Sequence, residues 1–306
     1  MRAIWAIIIS FSLVFIPQAA SATQDTHHSL TLHGLNRSYW AHLPRNGPSA
    51  GGLPVVIALH GGGMEGESLA RYSGLNGKSD RAGFMVVYPN GTGMQERILT
   101  WNAGNCCAYA QRNKIDDVAF IQSVIQDLEK RYKIDRTRVY LTGISNGAMM
   151  AYRVAAEAPH LVAAVSAVAG SLEIPVTGIK GPVPILHFHG TEDEYLPFTG
   201  GRGSKTAPGN FHNSVENTIQ AWVKINQAEP TPQIEELPDK ANDGTRVIRY
   251  SYAARKDGAE VILYRIIGGG HTWPGRPFLE KFLGKSTMNI DANEIMWEFF
   301  KDKRRP

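Results

Sequence analysis

The chain is nearly devoid of cysteine: of its 306 residues only Cys106 and Cys107 carry a thiol, and they are adjacent. Neighbours in sequence cannot cross-link distant segments, so a small disulfide-stapled scaffold is excluded and a hydrophobic core must supply the stability. The pair itself either closes as a vicinal disulfide or stays as buried thiols. A metal site is poorly served, with no second cysteine pair and no His-x-x-x-His spacing, and none is expected. Charge of one sign is nowhere concentrated: 32 Lys and Arg are interspersed with 28 Asp and Glu, for a net charge of +4. No nucleic-acid footprint results, and the basic end Lys301 to Pro306 reads as a solvated terminus. Nor is any apolar run long enough to span a bilayer, since Ala3 to Ile16 falls short of the ~20 residues required.

That run fits a different role. Arg2 supplies a positive start, and Ala20-Ser21-Ala22 is a small-residue cleavage site, so residues 1–22 are expected to be a secretory signal. The mature protein would be secreted, to the periplasm or beyond, with no membrane contact after signal removal. No repeat, low-complexity tract or Pro/Ser-rich linker follows, so residues 23–306 are expected to form a single domain. Nothing in the sequence fixes an oligomeric state.

What is present is alternation. Ser29 to Leu43 reads as an antiparallel hairpin, and Pro54 to Leu59 is a short apolar run of the kind that makes a buried parallel strand. Phe84 to Tyr88, Arg138 to Thr142, Val162 to Ala169 and Val183 to His189 repeat that signature. Helix-like stretches separate them, among them Asp117 to Tyr132 and Gly147 to Ala158. Val247 to Ala253 and Glu260 to Ile267 flank Asp257-Gly258 and read as a closing hairpin, with a last helix over Asp291 to Phe300. The expected fold is α/β, with a mostly parallel central sheet flanked by helices. Pro89 to Asn113, glycine-rich and aperiodic, reads as a loop lining a site.

Gly143-Ile144-Ser145-Asn146-Gly147 is a Gly-x-Ser-x-Gly set between a strand and a helix, the context of a nucleophile elbow. A serine hydroxyl attacks an ester only when it is exposed at the sheet's rim beside a base. In an α/β hydrolase the acid and then the histidine follow on loops after later strands. Only His212 and His271 lie beyond the strand that should carry the acid. His271, after the final strand in Gly268-Gly269-Gly270-His271, is preferred to His212, which precedes a helix. Glu192, Asp193 and Glu194 compete for the acid. Asp193 is preferred, with Glu194 second, because a short carboxylate holds one imidazole tautomer more firmly.

An oxyanion needs backbone N–H donors. Asn146 offers one, and the turn His60-Gly61-Gly62-Gly63 offers Gly62 and Gly63. Gly61 to Gly66 also satisfies G-x-G-x-x-G, but no acidic residue ends the next strand to hold a ribose, so a dinucleotide is not expected. Walker-type loops fail at their first glycine. No cofactor is implied. Trp101, Trp273, Tyr195 and Phe198 flank these motifs and either line a pocket for an acyl group or pack beneath loops. Asp116 and Asp117 read as the cap and first-turn charge of the following helix.

Six motifs, Leu59 to Gly63, Trp101 to Cys107, Ile115 to Val118, Gly143 to Met150, His187 to Asp193 and Gly269 to Pro274, resemble in order the secreted polyhydroxybutyrate-depolymerase-like esterases. That group shades into feruloyl esterases. The resemblance implies an α/β-hydrolase fold with Ser145, Asp193 and His271 as a triad acting through an acyl-enzyme. It implies a serine carboxylesterase for hydroxyalkanoate esters or oligomers, with feruloyl or acetyl xylan esters of plant polysaccharide as the alternative. An acyltransferase or peptidase, or a non-catalytic binding protein on the same fold, are further alternatives. Members often carry a cysteine and a polar residue where this chain has Gly62 and Gly63. Polymer-degrading members often add a polymer-binding domain, so attack on solid polyester does not carry over.

Overall fold

Leu53–Leu59 is buried along its whole length because its alternate side chains enter two separate cores, one on each face of a sheet. The computed structural model describes residues 25–45, 47, 51–95, 97–206 and 211–305. The expected export segment, 1–22, lies outside the described residues. The chain opens with a hairpin, β1 (Asp25–Leu32) and β2 (Leu35–His42), then runs β3 (Leu53–Leu59), α1 (Gly66–Ser73), α2 (Leu75–Ala82) and β4 (Met85–Pro89). Next come a small hairpin of β5 (Thr92–Gln95) and β6 (Ile98–Thr100), then α3 (Ala108–Arg112), α4 (Asp117–Arg131), β7 (Ile134–Ile144) and α5 (Asn146–Glu157). After these follow β8 (Ala164–Val168), β9 (Ile185–Gly190), α6 (Val215–Ile225), β10 (Gln233–Glu236), β11 (Arg246–Tyr252), β12 (Val261–Ile267), α7 (Glu280–Leu283) and α8 (Ala292–Phe300).

Ten strands form one sheet in the order β1-β2-β4-β3-β7-β8-β9-β12-β11-β10. The six central strands, β4 to β12 in that order, are parallel, and antiparallel strands finish both edges. This is the α/β-hydrolase arrangement. Val55, Ile57 and Leu59 face a core shared with α4, α5 and α6, whereas Val56 and Ala58 face one shared with α1, α2 and α8. The turns after β3, β7, β9 and β12 therefore emerge together at the carboxyl end of the sheet, where ligands bind in such folds. Among the described residues no helix is long and apolar enough to cross a membrane.

Two expectations need correcting. Pro89 to Asn113 is not one loop, because it holds β5, β6 and α3, elements too short for any periodicity to betray. Asp116 does cap α4, accepting from the Ala119 N–H at 3.0 Å. Asp117, by contrast, is more than a first-turn charge. It is fully buried, pairs with Arg37 of β2 at 2.8 Å and accepts the Asn102 N–H at 2.8 Å, while the Arg37 guanidinium lies 3.8 Å from the centre of the Phe120 ring. A buried pair gains little over an apolar replacement, but breaking it strands a charge. Asp117→Ala is accordingly expected to lose roughly 3–5 kcal/mol in denaturant unfolding. The double variant Arg37→Met/Asp117→Leu should lose less than either single change.

Candidate active site

The turn at the end of β7 is built by close approach. Ser145 sits at φ 58° and ψ −126°, a region L-residues rarely occupy. A Cβ on Gly147 would lie 2.1 Å from the Leu59 carbonyl oxygen, and one on Gly143 would lie 2.6 Å from the Gly147 carbonyl carbon. Only glycine fits either place, so the motif records how tightly the elbow is pressed against the end of β3. Ser145 N–H donates to the Val168 carbonyl of β8 at 2.9 Å, and its own carbonyl accepts from Met149 at 3.0 Å as α5 begins. The strained backbone is thereby held on both sides and leaves the side chain half-buried.

The structure separates the three acidic candidates. Glu192 and Glu194 are exposed, and Glu194 is paired with Lys205 at 2.6 Å, whereas Asp193 is buried. Asp193 Oδ1 accepts the Tyr195 and Leu196 N–H groups at 2.9 and 2.8 Å, and Oδ2 faces His271 Nδ1 at 2.7 Å. Burial by itself raises the carboxyl. The facing His271 imidazole and the hydrogen bonds from His189 and His271 outweigh it and hold the group well below the usual carboxylate range. His271, itself buried, has its backbone N–H tied to the Leu283 carbonyl at 2.6 Å. His212 stands elsewhere, 3.4 Å from the buried Glu173.

Ser145, Asp193 and His271 thus sit on the turns after β7, β9 and β12. The link still open is Ser145 to His271: among the described residues Ser145 Oγ makes no hydrogen bond. Catalytic contacts of this kind are often long without substrate and tighten in the bound complex.

The turn after β3 lies against the elbow, since a Cβ on Gly61 would be 3.5 Å from Ser145 Cβ and one on Gly62 would be 3.8 Å from Asn146 Cβ. Gly63 is removed from the oxyanion donors, because its N–H is spent on the Leu99 carbonyl at 2.8 Å. Gly62 and Asn146 remain. Asn146 also has a role its backbone does not predict: its side chain grips Trp101 at both ends, accepting from the Trp101 N–H at 2.7 Å and donating to its carbonyl at 3.0 Å. A polar residue directly after Ser145 was the signal for it.

Trp101 and Trp273 do not present a face to solvent. Both are fully buried, with Trp101 Nε1 donating to the His60 carbonyl at 3.0 Å and Trp273 Nε1 to Asn293 Oδ1 at 2.9 Å. A large ring with one donor is well suited to support a loop from below. Tyr195 remains half-exposed, its ring centre 5.1 Å from that of His271. A cleft of about 570 Å³ opens beside the acid turn, with Glu192, Glu194, Arg202 and Lys285 in its wall. Cys106 and Cys107 are joined as a vicinal disulfide, and Cys106 Sγ lies 4.0 Å from Asn146 Nδ2.

His60 anchors the turn after β3 through both ring nitrogens. Nδ1–H donates to the Gly61 carbonyl at 2.8 Å, and Nε2 accepts the Gly91 N–H at 2.9 Å. Burial pushes its pKa down to about 4. The unfolded chain therefore binds this proton below the ordinary histidine value of about 6.5, while the folded chain binds it only near 4. Stability is full above about pH 6.5, falls as pH drops through that window and levels off below the folded value, a loss on the order of 3 kcal/mol. Urea midpoints across this range should fall for the wild type and much less for His60→Gln.

Residues 37–174 match the family described as Esterase PHB depolymerase. The chain is 32% identical over 272 residues to NocK of Nocardia uniformis subsp. tsuyamanensis, which is named as an esterase, covering 85% of this chain and 76% of that one. It is 30% identical over 200 residues to a probable feruloyl esterase C of Aspergillus clavatus, covering 61% of this chain and 68% of the relative. An acetyl xylan esterase from Aspergillus awamori superposes with a TM-score of 0.60 at 18% identity, over 90% of this chain and 99% of that one. The last agreement is one of fold.

Proposed function

We propose, for a chain that belongs to the PHB depolymerase family of esterases and is a carboxylic ester hydrolase, that Ser145, His271 and Asp193 are its catalytic triad and hydroxyalkanoate esters its substrates. The observation that carries the triad is the buried 2.7 Å bond between His271 Nδ1 and Asp193 Oδ2, on the rim from which the strained Ser145 projects. With Nδ1–H given to the carboxylate, Nε2 is left free as the base. His271 takes the Ser145 proton as Oγ adds to the ester carbonyl, then gives it to the departing alcohol. Water, deprotonated by the same nitrogen, adds to the acyl-enzyme and releases the acid and Ser145. The N–H groups of Asn146 and Gly62 receive the oxyanion in both halves.

A second reading, feruloyl or acetyl esters of plant polysaccharide, is favoured by the names of similar proteins and by the half-exposed Tyr195 ring beside His271. Residues 23–306 are taken as one catalytic domain, exported behind the signal-like segment 1–22.

A fluorophosphonate is expected to modify Ser145 alone, as read by mass spectrometry, and to leave Ser145→Ala unmodified. Ser145→Ala should lose on the order of 10⁴–10⁶ in kcat, and Asp193→Asn about 10⁴. Hydroxybutyrate trimer, methyl ferulate and an acetylated xylo-oligosaccharide, assayed together, decide the substrate class. Turnover of the ferulate alone would overturn the hydroxyalkanoate assignment.

A further inference from the structure

Two histidines of β9 have no part in the mechanism above, and both are buried: His187 and His189, on the same face of the strand at positions i and i+2. With Tyr152 they form a single line of hydrogen bonds. Tyr152 Oη meets His187 Nδ1 at 2.6 Å, His187 Nε2 meets His189 Nδ1 at 3.1 Å, and His189 Nε2 meets the Leu196 carbonyl at 2.8 Å, with Asp193 Oδ2 3.4 Å away. One end of the line fixes all the protons. A carbonyl only accepts, so His189 must carry its proton on Nε2. With the rings neutral, His189 Nδ1 then accepts from His187 Nε2–H, and His187 Nδ1 accepts from the Tyr152 hydroxyl.

The two ends of the line are the acid turn and the nucleophile's helix. Asp193 to Leu196 is the turn that holds the carboxylate. Tyr152 lies in α5 seven residues after Ser145, two turns along and on the same helix face. Buried polar groups cost desolvation, and an apolar replacement of the whole set would fill this space at little penalty. Core packing alone therefore gives no reason for three hydrogen-bonding rings to run in file from one catalytic element to another.

We propose that His189 is a positioning residue: its Nε2–H, shared between the Leu196 carbonyl and Asp193 Oδ2, sets the carboxylate for His271, and Tyr152 with His187 fixes the tautomer that makes this possible. The inference rests on Asp193 being the catalytic acid. Burial, and then the neighbouring His189, push the His187 imidazole well below the ordinary histidine range, while burial pushes the Tyr152 hydroxyl well above the tyrosine range. Both groups thereby keep the protonation that the line requires.

The experiment compares His189→Leu, which removes the donor, with His189→Gln, whose amide places N–H near the lost Nε2. Both are assayed for kcat, KM and thermal unfolding on a p-nitrophenyl ester, beside Asp193→Asn. His189→Leu is expected to lose about 10–100-fold in kcat with KM within about twofold, and His189→Gln to recover most of it. Full kcat in the leucine variant with only a lower Tm, or a glutamine variant as slow as leucine, overturns the proposal. An active Asp193→Asn would instead sink the triad. ¹⁵N-histidine NMR of the wild type supplies a test that needs no core deletion. At about pH 8 His187 and His189 should both appear as Nε2–H tautomers, and Tyr152→Phe should perturb the His187 Nδ1 signal. An Nδ1–H tautomer at His189 in the wild type refutes the inference.

Discussion

The contact on which the rest of this protein depends is the one between the turn at Ser145 and the strand beside it. β7 and β3 lie side by side in the sheet, and the elbow after β7 folds over the end of β3 so closely that a methyl at 147 would overlap the Leu59 carbonyl oxygen. That approach turns the backbone sharply at Ser145, into φ and ψ values that would relax if the turn were free. Nothing in the pentapeptide alone would hold this strain. It persists because Ser145 N–H is anchored on β8 and because α5 is packed into the core by Ala148, Met149, Ala151 and Tyr152. Sheet order, glycine placement and serine exposure are therefore one constraint seen from three sides.

Around that elbow the polar groups are buried in pairs that leave few degrees of freedom. Asp193 has both oxygens occupied, His60 both nitrogens, and Asn146 both ends of its amide. A buried polar group with every partner in place holds one orientation, whereas one with a vacancy costs stability and permits others. Ser145 Oγ, by contrast with these three, makes no hydrogen bond among the described residues.

Much of this was legible in the chain, and the reason differs from element to element. β3 announces itself because both faces of a central strand are covered, so its residues are apolar without a break, while β7, β9 and β12 keep apolar runs interrupted by polar residues such as Thr142, His187, His189 and Arg265. The placement of Ser145 and His271 on the turns after β7 and β12 follows from chain order, which a fixed sheet topology enforces. Asp193 is a different case. Three consecutive acids are equivalent as letters, and only the turn that aims residue 193 inward, with the N–H groups of 195 and 196 beneath it, separates them. The same limit hid the fate of Gly63: a glycine-rich turn advertises free amides, but whether one is already bonded to Leu99 depends on the neighbouring loop.

The aromatic residues went the other way for a reason that bears on specificity. Trp101 and Trp273 stand beside the site motifs in sequence, and that proximity left both a substrate surface and packing beneath loops open. Each indole instead has its N–H bonded inward, Trp101 to the turn after β3 and Trp273 to Asn293 in the first turn of α8. An indole committed in this way gives its area to holding loops, and its replacement would weaken the site's geometry rather than retune its preference. The groups left on the rim are Tyr195, beside His271, and the charged wall of Glu192, Glu194, Arg202 and Lys285. Such a rim is part aromatic and part ionic. Glu192, Glu194, Arg202 and Lys285 are all exposed, and Glu194 is already paired with Lys205, so the charges of this wall stay solvated or paired and carry no burial cost.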